Sequence, residues 1–187
     1  MGVNHFGVYL LTRLLVPQLT QGAEKLKIPS RVVVVASEAH EFSDLFDFEN
    51  IDRNGISTTW EAFAVYGQSK LSNIFFAREL ATQFKAKNLP ITANSLHPGF
   101  IRTDLARETK GILRALYEIF SNLLAMDSWD GAQNSIHLAV APELVSTTGE
   151  YFTHFKTHPP QLGPYHKIIQ TLLWNISADK TALSVYL

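Results

Sequence analysis

Between Val3 and about Gln18 the apolar side chains Phe6, Tyr9, Leu10 and Leu14 recur at threes and fours, the spacing of one helical face. Gln21-Gly22 and Pro29 punctuate the chain beyond them, so a helix is predicted over this first segment. The pattern then changes. Arg31-Val32-Val33-Val34-Val35-Ala36 is a β-branched run without polar alternation, which predicts a strand of a parallel sheet covered on both faces. Its C-terminal end delivers Ser37. Residues 38–57 are rich in Glu, Asp and Ser and show no period, so they read as a functional loop on the rim of a site.

Thr58 followed three residues later by Glu61 has the form of a capping box. A helix is therefore predicted from Thr59-Trp60 to about Lys87, stopped by Asn88 and Pro90. Ile91-Thr92-Ala93-Asn94-Ser95-Leu96 reads as a second strand ending at the turn His97-Pro98-Gly99, and Glu150-Tyr151-Phe152-Thr153 as a third. Helical segments are expected over 104–124, 128–140 and 164–177. Strands alternating with helices indicate an α/β domain with right-handed crossovers and a parallel sheet. Few doubly wound sheets stop at three strands, and the edge beside Val32–Ala36 would be left unpaired, so a piece upstream is expected to be missing. No repeat, low-complexity tract or linker divides residues 1–187, which read as a single domain.

Composition narrows the partners. Sixteen basic and 17 acidic side chains give a net charge of −1, which supplies no field to draw in nucleic acid or an anionic membrane, and a small-molecule substrate is the better expectation. The absence of cysteine removes disulfides, thiolate nucleophiles and Cys-ligated zinc, and fits a reducing, cytoplasmic compartment. The run from Val8 to Val16 is broken by Arg13 and lacks the leader and cleavage site of a signal peptide. Phe6 stands where a myristoylation pattern needs Ser or Thr. The longest apolar stretch, Ile112 to Met126, carries Arg114 and Glu118, so no membrane span is expected.

Tyr66 and Lys70 lie four apart on a predicted helix and therefore share a face. A phenol has an ordinary pKa of about 10, and a neighbouring cation would favour its ionised form. Ser37 and Pro98-Gly99 leave the C-terminal ends of the first two strands, the rim on which open α/β sheets bind ligands. Taken singly, each feature is ordinary: Tyr is often a half-buried core residue, Lys a solvated one, and Ser or Pro-Gly a turn. Their order along the chain is what points to one crevice. His154 and His158 have a metal-like spacing, but Pro159-Pro160 follows and no metal site is expected. Asn175-Ile176-Ser177 is a glycosylation sequon without a secretory signal. No G-x-S-x-G elbow surrounds Ser37, which argues against a hydrolase.

Val3-Asn4-His5-Phe6-Gly7, Val35-Ala36-Ser37, Tyr66-Gly67-Gln68-Ser69-Lys70 and His97-Pro98-Gly99-Phe100-Ile101-Arg102-Thr103 together resemble the short-chain dehydrogenase/reductase family, in its retinol-dehydrogenase and WW-domain-containing oxidoreductase branch. The resemblance covers nearly the whole chain. It implies a Rossmann-type doubly wound sheet, an NAD or NADP cofactor, and a carbonyl or alcohol substrate of lipophilic, retinoid- or steroid-like kind. It further implies that Tyr66 transfers the proton, that Ser37 holds the substrate oxygen, and that Lys70 lowers the Tyr66 pKa and binds the nicotinamide ribose. Asn4 matches the position that holds a water in the proton relay, and Pro98, Gly99, Ile101 and Thr103 the segment contacting the nicotinamide carboxamide. Residues after Thr103 would form a mobile substrate lid, with the apolar Leu116, Tyr117, Ile119 and Phe120 as substrate wall or core alike.

The family's T-G-x-x-x-G-x-G turn, which presents amides to a pyrophosphate, is reproduced by none of the ten glycines. The expectation is therefore the C-terminal, catalytic part of such an enzyme without its nucleotide-binding segment, and the choice between NAD and NADP is unreadable. A different class of function follows from the same departure: a truncated chain, inactive alone, that acts through protein contacts. The helices bearing Asn4 and Tyr66 resemble the family's dimer surface and imply a possible homodimer.

Overall fold

The computed structural model describes residues 1–43, 48, 51, 55, 58–101, 126–163 and 165–184. The valine run forms β1 (Ser30–Val35), which pairs in parallel with β2 (Ile91–Leu96) in a register running from Ser30 opposite Ile91 to Val35 opposite Leu96. The next strand, β3 (Tyr151–Thr153), is parallel to β2, and β4 (Lys156–Thr157) folds back antiparallel on β3. The spatial order follows the chain order, β1-β2-β3-β4. The sheet thus has one strand more than the sequence predicts. The two residues of β4 are exposed and too short to carry a period, and the hairpin is made by His154 and Phe155 at positive φ, 50° and 65°.

Four helices accompany the sheet among the described residues: α1 (Gly7–Leu26), α2 (Thr59–Ala86), α3 (Ser128–Val140) and α4 (His166–Lys180). A π-helical turn, Gly2–Phe6, leads into α1. That helix continues well past Gln18, through Pro17 and Gly22, because Val16 and Ala23 are buried and Leu19 packs beside them. The apolar stripe of the first turns is simply prolonged, and packing outweighs the local breakers. α2 begins where the capping box predicts, with the Thr58 hydroxyl accepting from the Glu61 amide at 3.1 Å. The expected helix over 104–124, with the lid positions Leu116, Tyr117, Ile119 and Phe120, lies outside the described residues.

α2 forms the middle of the core. Ala77, Leu80 and Phe84 pack with Val34, Ile91 and Ala93 of the sheet, while Leu71 and Phe75 meet Phe6 and Leu173. Tyr9 of α1 bridges to α4 through Trp174, ring centroids 5.1 Å apart, and to α2 through Phe76 at 5.3 Å. A helix apolar around much of its circumference must be enclosed, and here the sheet, α1 and α4 enclose it. β1 pairs with β2 alone among the described residues, so its outer edge is open. The expected coverage of the valine run on both faces is only partly met: Val34 is 2% exposed, whereas Val35, at the site end, is 44% exposed. No described helix is long and apolar enough to cross a membrane.

Because Leu80 is fully buried at the centre of this packing, Leu80→Ala is expected to cost about 2–5 kcal/mol of unfolding free energy. Thr58→Ala, which removes only the cap of α2, should cost about 1 kcal/mol. Urea denaturation of both variants against the parent chain measures the contrast.

Candidate active site

The last ladder bond of β1, Ala36 N to the Leu96 carbonyl at 2.8 Å, places Ser37 just beyond the sheet. Ser37 is extended (φ −165°, ψ 153°) and caps a 3-10 turn, Glu38–Phe42, its Oγ accepting from the Ala39 amide at 3.1 Å. The start of the supposed structureless loop is therefore ordered. His40 within it is 1% exposed, and its Nδ1 lies 2.7 Å from the Ser37 carbonyl, which fixes the serine backbone from the far side.

α2 approaches this turn at Gly67. A Cβ there would stand 2.5 Å from the Ala39 carbonyl oxygen, a backbone atom with no freedom to yield. Glycine thus permits the contact that brings Tyr66 to Ser37, near enough for the serine side chain to lower the pKa of the phenol. One turn further along α2, Lys70 sets its Nζ 5.5 Å from the centroid of the Tyr66 ring and donates to the Val35 carbonyl at 3.3 Å. Asn4 joins from the π-helical turn: its Nδ2 donates to Ser69 Oγ at 3.1 Å, and that hydroxyl donates to the Tyr66 carbonyl at 2.7 Å. The structure therefore brings Ser37, Tyr66, Lys70 and Asn4 into one neighbourhood on three elements.

The electrostatics differ from the expectation. Burial pushes the Tyr66 phenol above its ordinary value, and the Ser37 hydrogen bond only partly offsets this. Burial likewise pushes the Lys70 ammonium down. In this arrangement desolvation, which favours the neutral form of both groups, is the largest influence on each.

Pro98 and Gly99 leave β2 beside Ser37, as the parallel register requires. Gly99 has φ +95°, a left-handed turn that a side chain would disfavour. Ile101 forms a bridge with Met126 and packs on Gly131 of α3. Pro98 and Gly99 line a small recess together with His97, Asn134 and Thr153. Thr103 lies outside the described residues. His97 ties this segment to the serine turn, its Nε2 3.4 Å from Glu38 Oε2. That pair, the close approach at Gly67 and the polar groups behind Lys70 were not singled out from the sequence. Only Gly67, lying between the motif residues Tyr66 and Gln68, carried a local signal. Among the described residues no group of His, Asp and Glu is arranged to hold a metal ion.

Whether a nicotinamide cofactor fits can be tested on these groups. The Val35 carbonyl engages one of the three Lys70 donors, which leaves a cation able to meet a ribose, and the Pro98-Gly99 turn offers backbone at the strand end. These residues fit the nicotinamide end of a dinucleotide; the glycine-rich turn for its phosphates is not in this sequence.

A parallel sheet with helices packed against it, carrying Ser, Tyr and Lys at its C-terminal rim, defines a dehydrogenase-like α/β class. No protein-family model matches the chain. It is 35% identical over 178 residues to human retinol dehydrogenase 14, spanning 94% of this chain and 50% of that one. Mouse retinol dehydrogenase 12 is also 35% identical, across 95% of this chain and 52% of its own. The chloroplastic short-chain dehydrogenase TIC 32 B of Brassica napus is 32% identical, across 93% and 54%. The chain thus spans about half the length of the curated relatives it matches. Among solved structures, an uncharacterized protein from Mycobacterium paratuberculosis superposes with a TM-score of 0.65 at 26% identity, over all of this chain and 59% of that one. An actinorhodin polyketide ketoreductase variant crystallised with NADPH shares the fold at TM-score 0.52 and 19% identity, over 80% and 53%. Over nearly its whole length the chain is similar to members of the short-chain dehydrogenase/reductase family.

Gly67→Ala is expected to force the 3-10 turn and Ser37 away from Tyr66, destabilising the chain by about 1–3 kcal/mol. Loss of the Ser37 bond, which lowers the Tyr66 pKa, should move the tyrosine titration midpoint upward, as followed by the ultraviolet difference spectrum of phenolate formation. An unchanged midpoint in a folded variant would show that the close approach does not set the pair.

Proposed function

We propose that this chain is the catalytic domain of an oxidoreductase that moves a hydride between NAD or NADP and a carbonyl or alcohol on a lipophilic, retinoid- or steroid-like substrate. The observation that carries the reading is the Lys70 ammonium 5.5 Å from the centre of the Tyr66 ring, with the Ser37 side chain near enough to lower the pKa of that phenol. Similarity over nearly the whole chain to relatives named retinol dehydrogenases supports the activity and the substrate class. The nicotinamide would supply or accept the hydride. Lys70, Pro98, Gly99, Ile101 and Thr103 would hold its nicotinamide end.

The chain's own residues do the proton work. Ser37 donates a hydrogen bond to the substrate oxygen and fixes it beside the phenol. Tyr66 hands its proton to that oxygen in reduction and takes it back in oxidation. With its pKa held above the ordinary value, Tyr66 is protonated at neutral pH, so the resting site is ready to reduce a carbonyl. Lys70 carries the positive charge that favours the transient phenolate, and Asn4 orders the backbone of α2 beneath it.

A second reading, that the chain acts through protein contacts, rests on one feature of α1: Leu11, Leu14 and Leu15 are 62%, 57% and 43% exposed. They lie on the helix next to Asn4, the surface on which a homodimer would form. Titration of the purified chain with NADPH and NADH separates the readings. Saturable binding supports the enzyme, whereas its absence together with self-association in sedimentation supports the contact role.

Tyr66→Phe is expected to abolish turnover of a retinoid aldehyde while leaving NADPH affinity nearly unchanged, and Lys70→Ala to impair both. Substantial turnover in Tyr66→Phe would count against the mechanism. The pH dependence has a definite sign. Reduction needs the phenol protonated, so its rate should hold through neutral pH and decline only as pH rises through the elevated Tyr66 pKa. Oxidation, which needs the phenolate, should accelerate over the same range.

A further inference from the structure

A line of buried polar groups runs behind the candidate site, through elements that the proposed chemistry does not use. His5, on the π-helical turn, is 1% exposed and has a partner at each ring nitrogen. Nδ1 lies 3.3 Å from Asn73 Oδ1 on α2, and Nε2 lies 2.8 Å from Ser177 Oγ on α4. Asn73 and Ser177 are 2% and 0% exposed. Asn73 Nδ2 donates to the Val35 carbonyl at 3.3 Å, the same oxygen that accepts from Lys70 Nζ at 3.3 Å. That carbonyl is two residues before Ser37. The neighbouring residue Asn4 reaches Ser69, one turn earlier on α2, so the π-helical turn grips the catalytic helix with two consecutive polar side chains.

The bonds have a forced direction. The Val35 carbonyl can only accept, so Asn73 must present its amide nitrogen to it and its oxygen to His5. An oxygen facing Nδ1 requires the imidazole proton on Nδ1, which leaves Nε2 to accept from the Ser177 hydroxyl. That hydroxyl is also placed to donate to the Leu173 carbonyl at 2.7 Å, and its single proton serves one acceptor at a time; the Leu173 carbonyl has its partner in the α4 ladder, so the proton is assigned to Nε2. The opposite tautomer would set two lone pairs against each other between Nδ1 and Asn73 Oδ1, buried from water, where an unsatisfied pair is costly.

We infer that His5 and Asn73 are positioning residues: together they fix the Val35 carbonyl, and through it both Ser37 and the Lys70 ammonium, against Tyr66. Burial lowers the His5 pKa to about 4, with the nearby Met1 amino group acting in the same direction, so the ring stays neutral and holds a single tautomer at working pH. The inference rests on reading Tyr66 and Lys70 as the proton-transfer pair, but it is tested without turnover.

Two measurements on the 187-residue chain decide it. In the unsubstituted chain, nitrogen-15 spectra of the histidines should show His5 with its proton on Nδ1; a proton on Nε2 overturns the inference, whether or not any variant folds. The second follows Tyr66 by carbon-13 at the phenol carbon, its signal identified by its loss in Tyr66→Phe. His5→Leu and Asn73→Leu should raise the Tyr66 midpoint by about 0.5–1 pH, because the Ser37 bond that lowers it is no longer held in place. His5→Asn, which keeps a donor near Asn73, should leave it nearly unchanged. Apart from His5 itself, which is neutral in the parent chain, the titratable groups on the turns packed against this part of α2 are Glu38, His40 and Glu41 and the Met1 amino group, and none of these is altered by the substitutions. A purely structural role predicts lower stability in all three variants with the midpoint unmoved, and that result overturns the inference. If the midpoint moves as expected while the chain proves inactive with every aldehyde tried, the positioning stands and only the assigned reaction fails.

Discussion

The burial of α2 is the constraint on which the rest of the structure depends. Its middle turns have no open side: Leu71, Ile74, Phe75, Phe76, Ala77 and Leu80 are each 5% exposed or less, closed in by the sheet, α1 and α4. The helix consequently cannot roll or slide without opening the core. Tyr66 and Lys70 sit one turn before this enclosed stretch and inherit both its rigidity and part of its desolvation. The same burial that aims them also drives the phenol up and the ammonium down, so electrostatics and positioning in this site have one source.

Around that helix the backbone does most of the alignment. The parallel register of β1 and β2 puts Ser37 and the Pro98-Gly99 turn side by side. Gly67 lets the 3-10 turn come within contact of α2, and the buried His40 holds the Ser37 carbonyl from behind. Asn4 and His5 then tie a third element to the same helix through Ser69 and Asn73. Each of these devices orients a group that carries chemistry by fixing a main-chain atom next to it. Backbone held on regular elements varies less than a free rotamer, which is what a proton transfer over hydrogen-bond distance demands.

The open outer edge of β1 and the exposed leucines of α1 belong to the same geometry. Among the described residues β1 is unpaired along one side, and its faces are only partly covered, Val34 being 2% exposed and Val35 44%. The chain covers about half of its curated relatives, and its residues serve the reacting end of a dinucleotide, with no glycine-rich turn for the phosphates.

Much of this was legible in the sequence. The valine run, the Thr58 cap, the second strand and the i,i+4 spacing of Tyr66 and Lys70 are local patterns, and local backbone physics suffices to read them. The same reading stopped α1 short, because Gln21-Gly22 is a local breaker whereas the burial of Val16 and Ala23 that overrides it is not a local property. It missed β4, whose two exposed residues carry no pattern, and it did not register the burial that pushes the Tyr66 phenol up, because desolvation depends on everything packed around that group. The pairing of His97 with Glu38 and the line from His5 through Asn73 to Val35 join residues far apart in the chain. Sequence therefore determined which residues could carry the chemistry and in what order, since spacing along a helix or strand is intrinsic to the backbone. Tertiary structure alone decided which of them meet and how strongly each holds its proton, because distance through space and exclusion of water exist only once the chain has folded.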